Sequence, residues 1–422
     1  MGAMSDNDRT LRLLYVNSHF QRADMWTGVR ARQLVEALTD QGVSVTMFPP
    51  SEESSGQAPR TTKKMRGLKN LVRDKLPTAI AIWMVEIWLF FGGALRSFKN
   101  ALRAISMRDV LEADVILIRS QEYDWTPWLM GKILGLPVVQ EIHSISYVER
   151  SQRKGKPTGG HWGPLSRMEV GQWRSASALW VNSTELQKNI VSNGLAPESV
   201  QFFPFGIAES PRQFPGERTQ DGLIQIAFVG SFYPWHGVQC LVRAFAKLAD
   251  ELPNASLVLM GDGIMRARCE QEVEELGLGN RIEFTGWLPR DHMIERLRDV
   301  HIGVAPYLAV ENFYFEPVKI FDYMAAGLPV VASAQGRVRE MLEGGTSGCL
   351  MPPGDEAALT TELKKLCRDP DSRKSLGRAA RQRYLDKYTL AITASRVIEV
   401  CSDVIESPVL GSSLPVRERR RL

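Results

Sequence analysis

Leu11-Arg-Leu-Leu-Tyr-Val16 is a short apolar run with no helical period, and after a loop comes Ala31-Arg-Gln-Leu-Val-Glu-Ala-Leu-Thr-Asp-Gln-Gly-Val-Ser-Val-Thr-Met-Phe48. In the second run Ala31, Leu34, Val35 and Leu38 recur at helical spacing, Gly42 stands where a helix should stop, and Val43 to Phe48 reads as a strand. Strand, loop, helix and strand within about forty residues make a βαβ unit, which requires a parallel sheet covered on both faces. Further strands are predicted at Val115 to Ile118, Val138 to Ile142 and Ala178 to Val181.

The pattern starts again after a Pro/Gly-rich stretch, Pro204 to Gly222. Ile224 to Val229 reads as a buried strand, and Val238, Leu241, Val242, Phe245 and Leu248 form the apolar stripe of a helix. Leu257 to Met260, Ile282 to Phe284, Ile302 to Ala305, Val330 to Ala332 and Leu350 follow as strands. The expected fold class is α/β, with two Rossmann-like doubly wound domains facing a central cleft, since ligands of such folds sit beyond the carboxyl ends of the strands. The boundaries read as 5–206, 223–388 and a C-terminal helix and basic tail at 389–422, the helix (about Leu390 to Ile405) packing back towards the first domain.

Composition narrows the class. The chain has 422 residues, 44% hydrophobic and 24% charged, which is globular and long enough for more than one core. Met1-Gly2-Ala3-Met4 reads as an added leader before a second start, and no charged-then-apolar segment follows it, so a cytoplasmic location is expected. Five cysteines without close pairing suggest reduced thiols, and six histidines without HExxH spacing suggest no metal. The net charge of +4 is gathered in one place: Arg60 to Ser106 carries ten Lys/Arg and two acids. That is one basic patch, not a nucleic-acid surface.

The segment richest in chemistry is Glu311-Asn-Phe-Tyr-Phe-Glu-Pro-Val-Lys-Ile-Phe-Asp-Tyr-Met-Ala-Ala-Gly-Leu-Pro-Val-Val331. Pro317 suits the first turn of a helix that ends at Gly327, and Lys319 and Asp322 share one face near its start. A helix N-terminus with a lysine suits phosphate, and a carboxylate suits paired ribose hydroxyls. Alone, such a pair would more often be an ordinary solvated ion pair; the surroundings decide.

Asp322-Tyr-Met-Ala-Ala-Gly-Leu-Pro-Val-Val331 resembles the signature of glycosyltransferase family 4, the retaining GT-B sugar transferases. Phe228-Val-Gly-Ser-Phe-Tyr-Pro-Trp-His-Gly237, Leu259-Met-Gly-Asp-Gly263, Phe284-Thr-Gly-Trp287, Gly336 to Glu340 and Gly348 to Asp355 support the likeness in the same order. The resemblance implies that Asp322, shorter than the usual Glu, binds the donor ribose. Tyr314 stands where the family commonly has an acid that contacts the donor sugar, leaving Glu316 or Glu311 as substitutes. Ser231 and His236 occupy the places of the family's basic pair, so Lys319 becomes the group that neutralises the diphosphate, with His236 helping. Backbone around Trp287 is similar to the edge that reads the nucleobase.

In the first half, Gly28 opens a helix and allows close approach of backbone to a phosphate or sugar. His143 ends an apolar strand, where a lone histidine is more often structural, but the resemblance implies contact with the donor sugar. Together these imply transfer of a sugar from a nucleoside-diphosphate donor, UDP ahead of GDP, to an acceptor hydroxyl with retention. The acceptor is a glycan, a lipid-linked sugar or a small molecule, and neither a cofactor nor a metal is expected. Two rivals stand beside this: an epimerase or phosphorylase on the same fold, and a non-catalytic GT-B subunit that regulates a partner transferase.

Ala79 to Leu95 is apolar for seventeen residues, broken only by Glu86 and Gly92-Gly93, with cations on both sides. This is at the short limit for a membrane span, and a charge near its centre is costly. The pattern fits peripheral attachment to an anionic membrane on the cytoplasmic face; the competing reading is a buried apolar hairpin inside the first domain.

Overall fold

The computed structural model describes residues 10–17, 26–48, 78–119, 124–145, 164–209, 222–311 and 313–406. Two compact units divide the chain: Met1–Phe203 with Ala394–Leu422, and Pro204–Thr393.

The first unit holds strands β1 (Arg12–Val16), β2 (Ser44–Phe48), β3 (Val115–Arg119), β4 (Val138–Ile142), β5 (Ala178–Val181) and β6 (Val200–Phe202). They form one parallel sheet in the order β2-β1-β3-β4-β5-β6. Every residue of β4 and β5 is buried, as expected of central strands covered on both faces. The helices are α1 (Trp26–Asp40), α2 (Thr78–Ile105), α3 (Thr126–Leu134), α4 (Pro164–Ser175) and α5 (Thr184–Ser192). The sequence reading missed β6, whose three residues are too few to show a period.

The apolar stretch at 79–95 is not a hairpin. It belongs to α2, one helix of 28 residues that runs through Gly92 and Gly93. Each mid-helix glycine costs about 1 kcal/mol, which is too little to break a long helix. Gly93 is buried and Gly92 is exposed. Among the described residues no helix is long and apolar enough to cross a membrane. The cations between Arg60 and Lys75 and the C-terminal basic tail lie outside the described residues.

The second unit carries β7 (Ile224–Val229), β8 (Ala255–Met260), β9 (Ile282–Gly286), β10 (Ile302–Ala305), β11 (Val330–Ser333) and β12 (Cys349–Met351). Their order is β12-β11-β10-β7-β8-β9, all parallel. The strand order therefore reverses between β7 and β10, the point beyond whose carboxyl ends ligands of such sheets bind. Around the sheet lie α6 (Val238–Glu251), α7 (Arg266–Glu275), α8 (Arg290–Arg296), α9 (Val318–Ala325), α10 (Glu356–Arg368) and α11 (Pro370–Lys387). Ile226, Phe228, Leu241, Phe245, Leu257, Leu259, Ile302 and Val304 anchor the core.

The last helix, α12 (Leu390–Glu406), changes unit along its length. From Ala394 it belongs to the first unit, where Ser395 Oγ donates to Gln41 Oε1 at 2.9 Å and the Arg396 guanidinium lies over the Phe203 ring.

Candidate functional site

The reversal point of the second sheet is where the side chains converge. β7 ends in Gly230-Ser231, and a short 3-10 turn at Pro234–His236 leads into α6. Gly261, at the end of β8, has a φ of +150°, and a Cβ there would lie 1.9 Å from the Gly230 carbonyl oxygen. Only glycine permits strand ends this close. Gly261 also bridges to Gly286 at the end of β9, and Trp287 follows directly with 54% of its surface exposed.

α9 is held against this point by Tyr323. Its hydroxyl accepts from Val229 N at 2.8 Å and donates to Val304 O at 3.2 Å, so one side chain ties α9 to β7 and β10. The ring lies flat enough on β10 that a Cβ at Gly303 would come within 2.4 Å of it. This anchoring places Lys319, one turn earlier, over the end of β7.

Lys319 is buried, and its Nζ finds no hydrogen-bond partner among the described residues. The ammonium sits 4.1 Å from the centroid of Phe228 and 4.9 Å from that of Tyr307, and a Cβ on Gly230 would lie 3.2 Å from it. Two aromatic faces offer a cation part of what water would. The compensation is incomplete: burial lowers the lysine to about 7. His236 packs edge-on against the same Tyr307 ring at 5.6 Å and gives its Nδ1–H to the Ser231 carbonyl. Burial, and then the nearby Lys319, push this histidine down to about 3, so its ring is neutral at physiological pH.

Asp322 is buried one turn further along α9, and its Oδ1 accepts from Arg290 Nη1 at 2.9 Å. Burial raises the carboxyl above its ordinary value, and Arg290 pulls it back. Arg290 begins α8, 32 residues earlier in sequence, and no spacing signal could have found it. Tyr307 was missed as well, being an apolar-looking residue just past a strand.

Glu316 is placed differently from what the sequence suggested. Its carboxylate is buried in an ion pair with Arg337 and also accepts from Phe205 N at 3.2 Å. Arg337 reaches on to Glu340 at 3.2 Å. The carboxylate is thus fully used as a brace inside the second unit, whereas Glu311 is exposed and Tyr314 is buried.

In the first unit, His143 directly follows β4, and its Nε2 lies 2.6 Å from Glu141 Oε1. Residues two apart on a strand share a face, which is why Glu141 and His143 meet. The Tyr15 hydroxyl from β1 reaches the other carboxylate oxygen at 3.5 Å. Burial opposes the charge on Glu141, but His143, Arg119 and Arg30 hold it down at about 2. Burial and Arg119 keep His143 at about 3 against the pull of Glu141. The pair is therefore a carboxylate and a neutral imidazole, with Nε2–H donating. Gly28 is buried in the first turn of α1, as the sequence placed it. Among the described residues no group of His, Cys, Asp or Glu is arranged to hold a metal ion.

The structure thus brings Ser231, His236 and Lys319 into one cluster, with Asp322 on the adjoining turn. A buried ammonium with no hydrogen-bond partner among the described residues, at strand ends beside close-packed glycine backbone, can take up an anion, and a neighbouring carboxylate can take up hydroxyls.

Comparison with known proteins gives a consistent picture. A family model described as "Glycosyl transferases group 1" matches residues 224–369, and one described as "Glycosyl transferase 4-like domain" matches residues 27–206. The alpha-D-kanosaminyltransferase of Streptomyces kanamyceticus is 23% identical over 397 residues, covering 88% of this chain and 98% of its own. A D-inositol 3-phosphate glycosyltransferase of Corynebacterium glutamicum is 24% identical over 398 residues, 87% of this chain and 89% of its own. Among solved structures, Anabaena HepE in complex with UDP and glucose superposes with a TM-score of 0.65 at 17% identity, over 93% of this chain and 100% of that one. Sucrose-phosphate synthase from Thermosynechococcus elongatus gives 0.65 at 18% identity, over 94% and 100%.

Proposed function

The chain belongs to the family-4 glycosyltransferases of GT-B fold, and from that premise we propose that it moves a sugar, with retention, from a UDP-sugar to an acceptor hydroxyl. The observation that carries this reading is the buried Lys319 ammonium, without a hydrogen-bond partner among the described residues, at the reversal point of the second sheet. An ammonium in that state is costly until an anion meets it. A diphosphate supplies the anion and restores the lysine's charge. Complexes of the structural neighbour HepE with UDP and with UDP-glucose support uridine over guanosine as the base.

In this reading Lys319 stabilises the charge that grows on the diphosphate as the glycosidic bond stretches. His236, neutral, shapes the loop through its bond to the Ser231 carbonyl, and Ser231 lines the phosphate path. Asp322 accepts from the ribose with the oxygen that Arg290 leaves to it, and Trp287 borders the base. His143 and Gly28, in the first unit, are assigned to the sugar. Glu141 fixes which nitrogen of His143 carries the proton, so that the ring meets a sugar hydroxyl in one defined tautomer. Glu316 is left as a brace. The acceptor we favour is a lipid-linked or cell-surface glycan precursor at the cytoplasmic face of a membrane.

The test is a thermal-shift survey of nucleotide sugars on the wild-type chain and Lys319→Met. A cognate donor at a hundred times its dissociation constant should stabilise the wild type by about 2.7 kcal/mol. The reading fails if UDP-sugars shift neither protein, or both equally.

A further inference from the structure

Between Phe91 and Ala104, α2 is amphipathic the wrong way round. The buried face of this stretch carries Gly93, Ser97, Ala101 and Ala104, spaced four, four and three residues apart. Its large apolar side chains point outward: Phe91 is 67% exposed, Leu95 59%, Phe98 51% and Leu102 47%. The two sets are offset by two residues, about 200° around a helix, so they occupy opposite sides. An ordinary surface helix buries the large residues and shows the small or polar ones.

The inversion is held in place from inside. Ser97 Oγ donates to Asp124 Oδ1 at 3.2 Å and accepts from Trp125 N at 2.8 Å, while Ala101 and Ala104 enter the core with Val110, Ile116 and Met130. Turning the helix to hide Phe98 would drive Ser97 out of these bonds and put bulk where only small residues fit. α3, packed against α2, adds exposed Trp128 and Ile133 to the same unit. Apolar side chains presented in one row on a fixed helix mark a binding surface.

Charge selects the occupant. Arg96, Lys99 and Arg103 are exposed along one flank of the row, and from Ile87 to Arg108 the sequence has no acid. A second copy of the chain docking row to row would set like charges against each other, whereas paired helices set opposite charges beside an apolar seam. An anionic lipid surface satisfies both features, taking the row into its acyl boundary and the cations among its headgroups. We propose that the outward face of α2, centred on Leu95 and Phe98, docks the first unit onto an anionic lipid membrane.

The experiment is flotation of the full chain with vesicles of phosphatidylcholine alone, and of phosphatidylcholine with phosphatidylglycerol, at low and high salt. It reads lipid partition and nothing of sugar transfer, so its outcome is independent of the donor reading. The wild type should float with the anionic vesicles and lose most of that binding at high salt. Leu95→Ser with Phe98→Ser should cut the partition coefficient at least about tenfold. Arg96→Gln, Lys99→Gln and Arg103→Gln together should cut it by about fivefold per cation, on anionic vesicles only. All three proteins should show the same melting temperature and the same shift with UDP, because the changed residues are exposed. The proposal is overturned if the wild type does not float, or if the Leu95/Phe98 variant floats as well as the wild type. It is also overturned if light scattering shows a lipid-free dimer that this variant dissociates, which would give the face to a second copy.

Discussion

Two buried charged groups at strand ends answer the same difficulty in opposite ways. In the first unit Glu141 is sealed in but fully provided for, with His143 at 2.6 Å and Tyr15 at 3.5 Å. In the second unit Lys319 is also buried, and among the described residues its ammonium meets aromatic faces and no hydrogen-bond partner. The first arrangement is finished without a ligand and orients a neighbour. The second is incomplete and gains most when an anion arrives. Burial alone does not point to a ligand-binding group; a buried cation with unmet hydrogen bonding at the strand ends does so more strongly.

Changing a provided-for group should cost stability first. The largest effect is expected at Glu316, whose buried pair with Arg337 braces the second unit. Glu316→Ala should lower stability by about 3–5 kcal/mol, read in urea unfolding, because Arg337 loses its buried counter-charge and keeps the more exposed Glu340. A small change in stability with a large loss of donor affinity would return Glu316 to the sugar site.

Changing the unmet group should cost activity instead. Lys319→Met should reduce kcat by about 10²–10³ while raising the melting temperature of the ligand-free protein. The pH dependence gives the sign. Between about 7, where folded Lys319 loses its proton, and the ordinary lysine value of 10.5, the unfolded chain binds more protons than the folded one. Wild-type stability should therefore rise with pH across that window relative to Lys319→Met. A variant less stable than wild type at pH 7 would make Lys319 a structural residue.

Asp322 stands between the two cases, since Arg290 meets one oxygen only. Asp322→Asn should weaken UDP binding by about 1.5–3 kcal/mol, measured by calorimetry. Arg290→Ala should weaken it as well, and increasingly so towards acid, because burial then favours the protonated carboxyl. Unchanged affinity in both variants would remove the pair from the site. The smallest effect is expected at Glu141→Gln, with kcat falling by about tenfold and UDP affinity unchanged. Equal losses in kcat and UDP affinity would show that Glu141 only supports the fold.

Much of this could be read from the residues. β3 and β10 were legible because central strands are continuously apolar, and α9 because Pro317 and Gly327 bracket it. Lys319 and Asp322 were legible because the pair sits within a recognisable motif. Pairings between distant residues were not: Asp322 with Arg290, Glu316 with Arg337 and Lys319 with Phe228 are decided by which strand ends meet. The course of α2 was not legible either: Glu86 and Gly92-Gly93 interrupt the apolar run and leave a hairpin open, whereas one helix carries through them, with Gly93 buried on the same face as Ser97, Ala101 and Ala104.

The central claim is that Lys319 is the cation that meets the diphosphate, and proton uptake tests it most directly. UDP-glucose, whose diphosphate does not titrate near neutrality, is bound at pH 8 in two buffers of different ionisation enthalpy. A lysine at about 7 is mostly deprotonated there, and a diphosphate that restores its charge must draw a proton from solution. Wild type should take up roughly 0.9 proton per donor bound, and Lys319→Met none. Binding without proton uptake in the wild type, or with equal uptake in both proteins, would contradict the assignment.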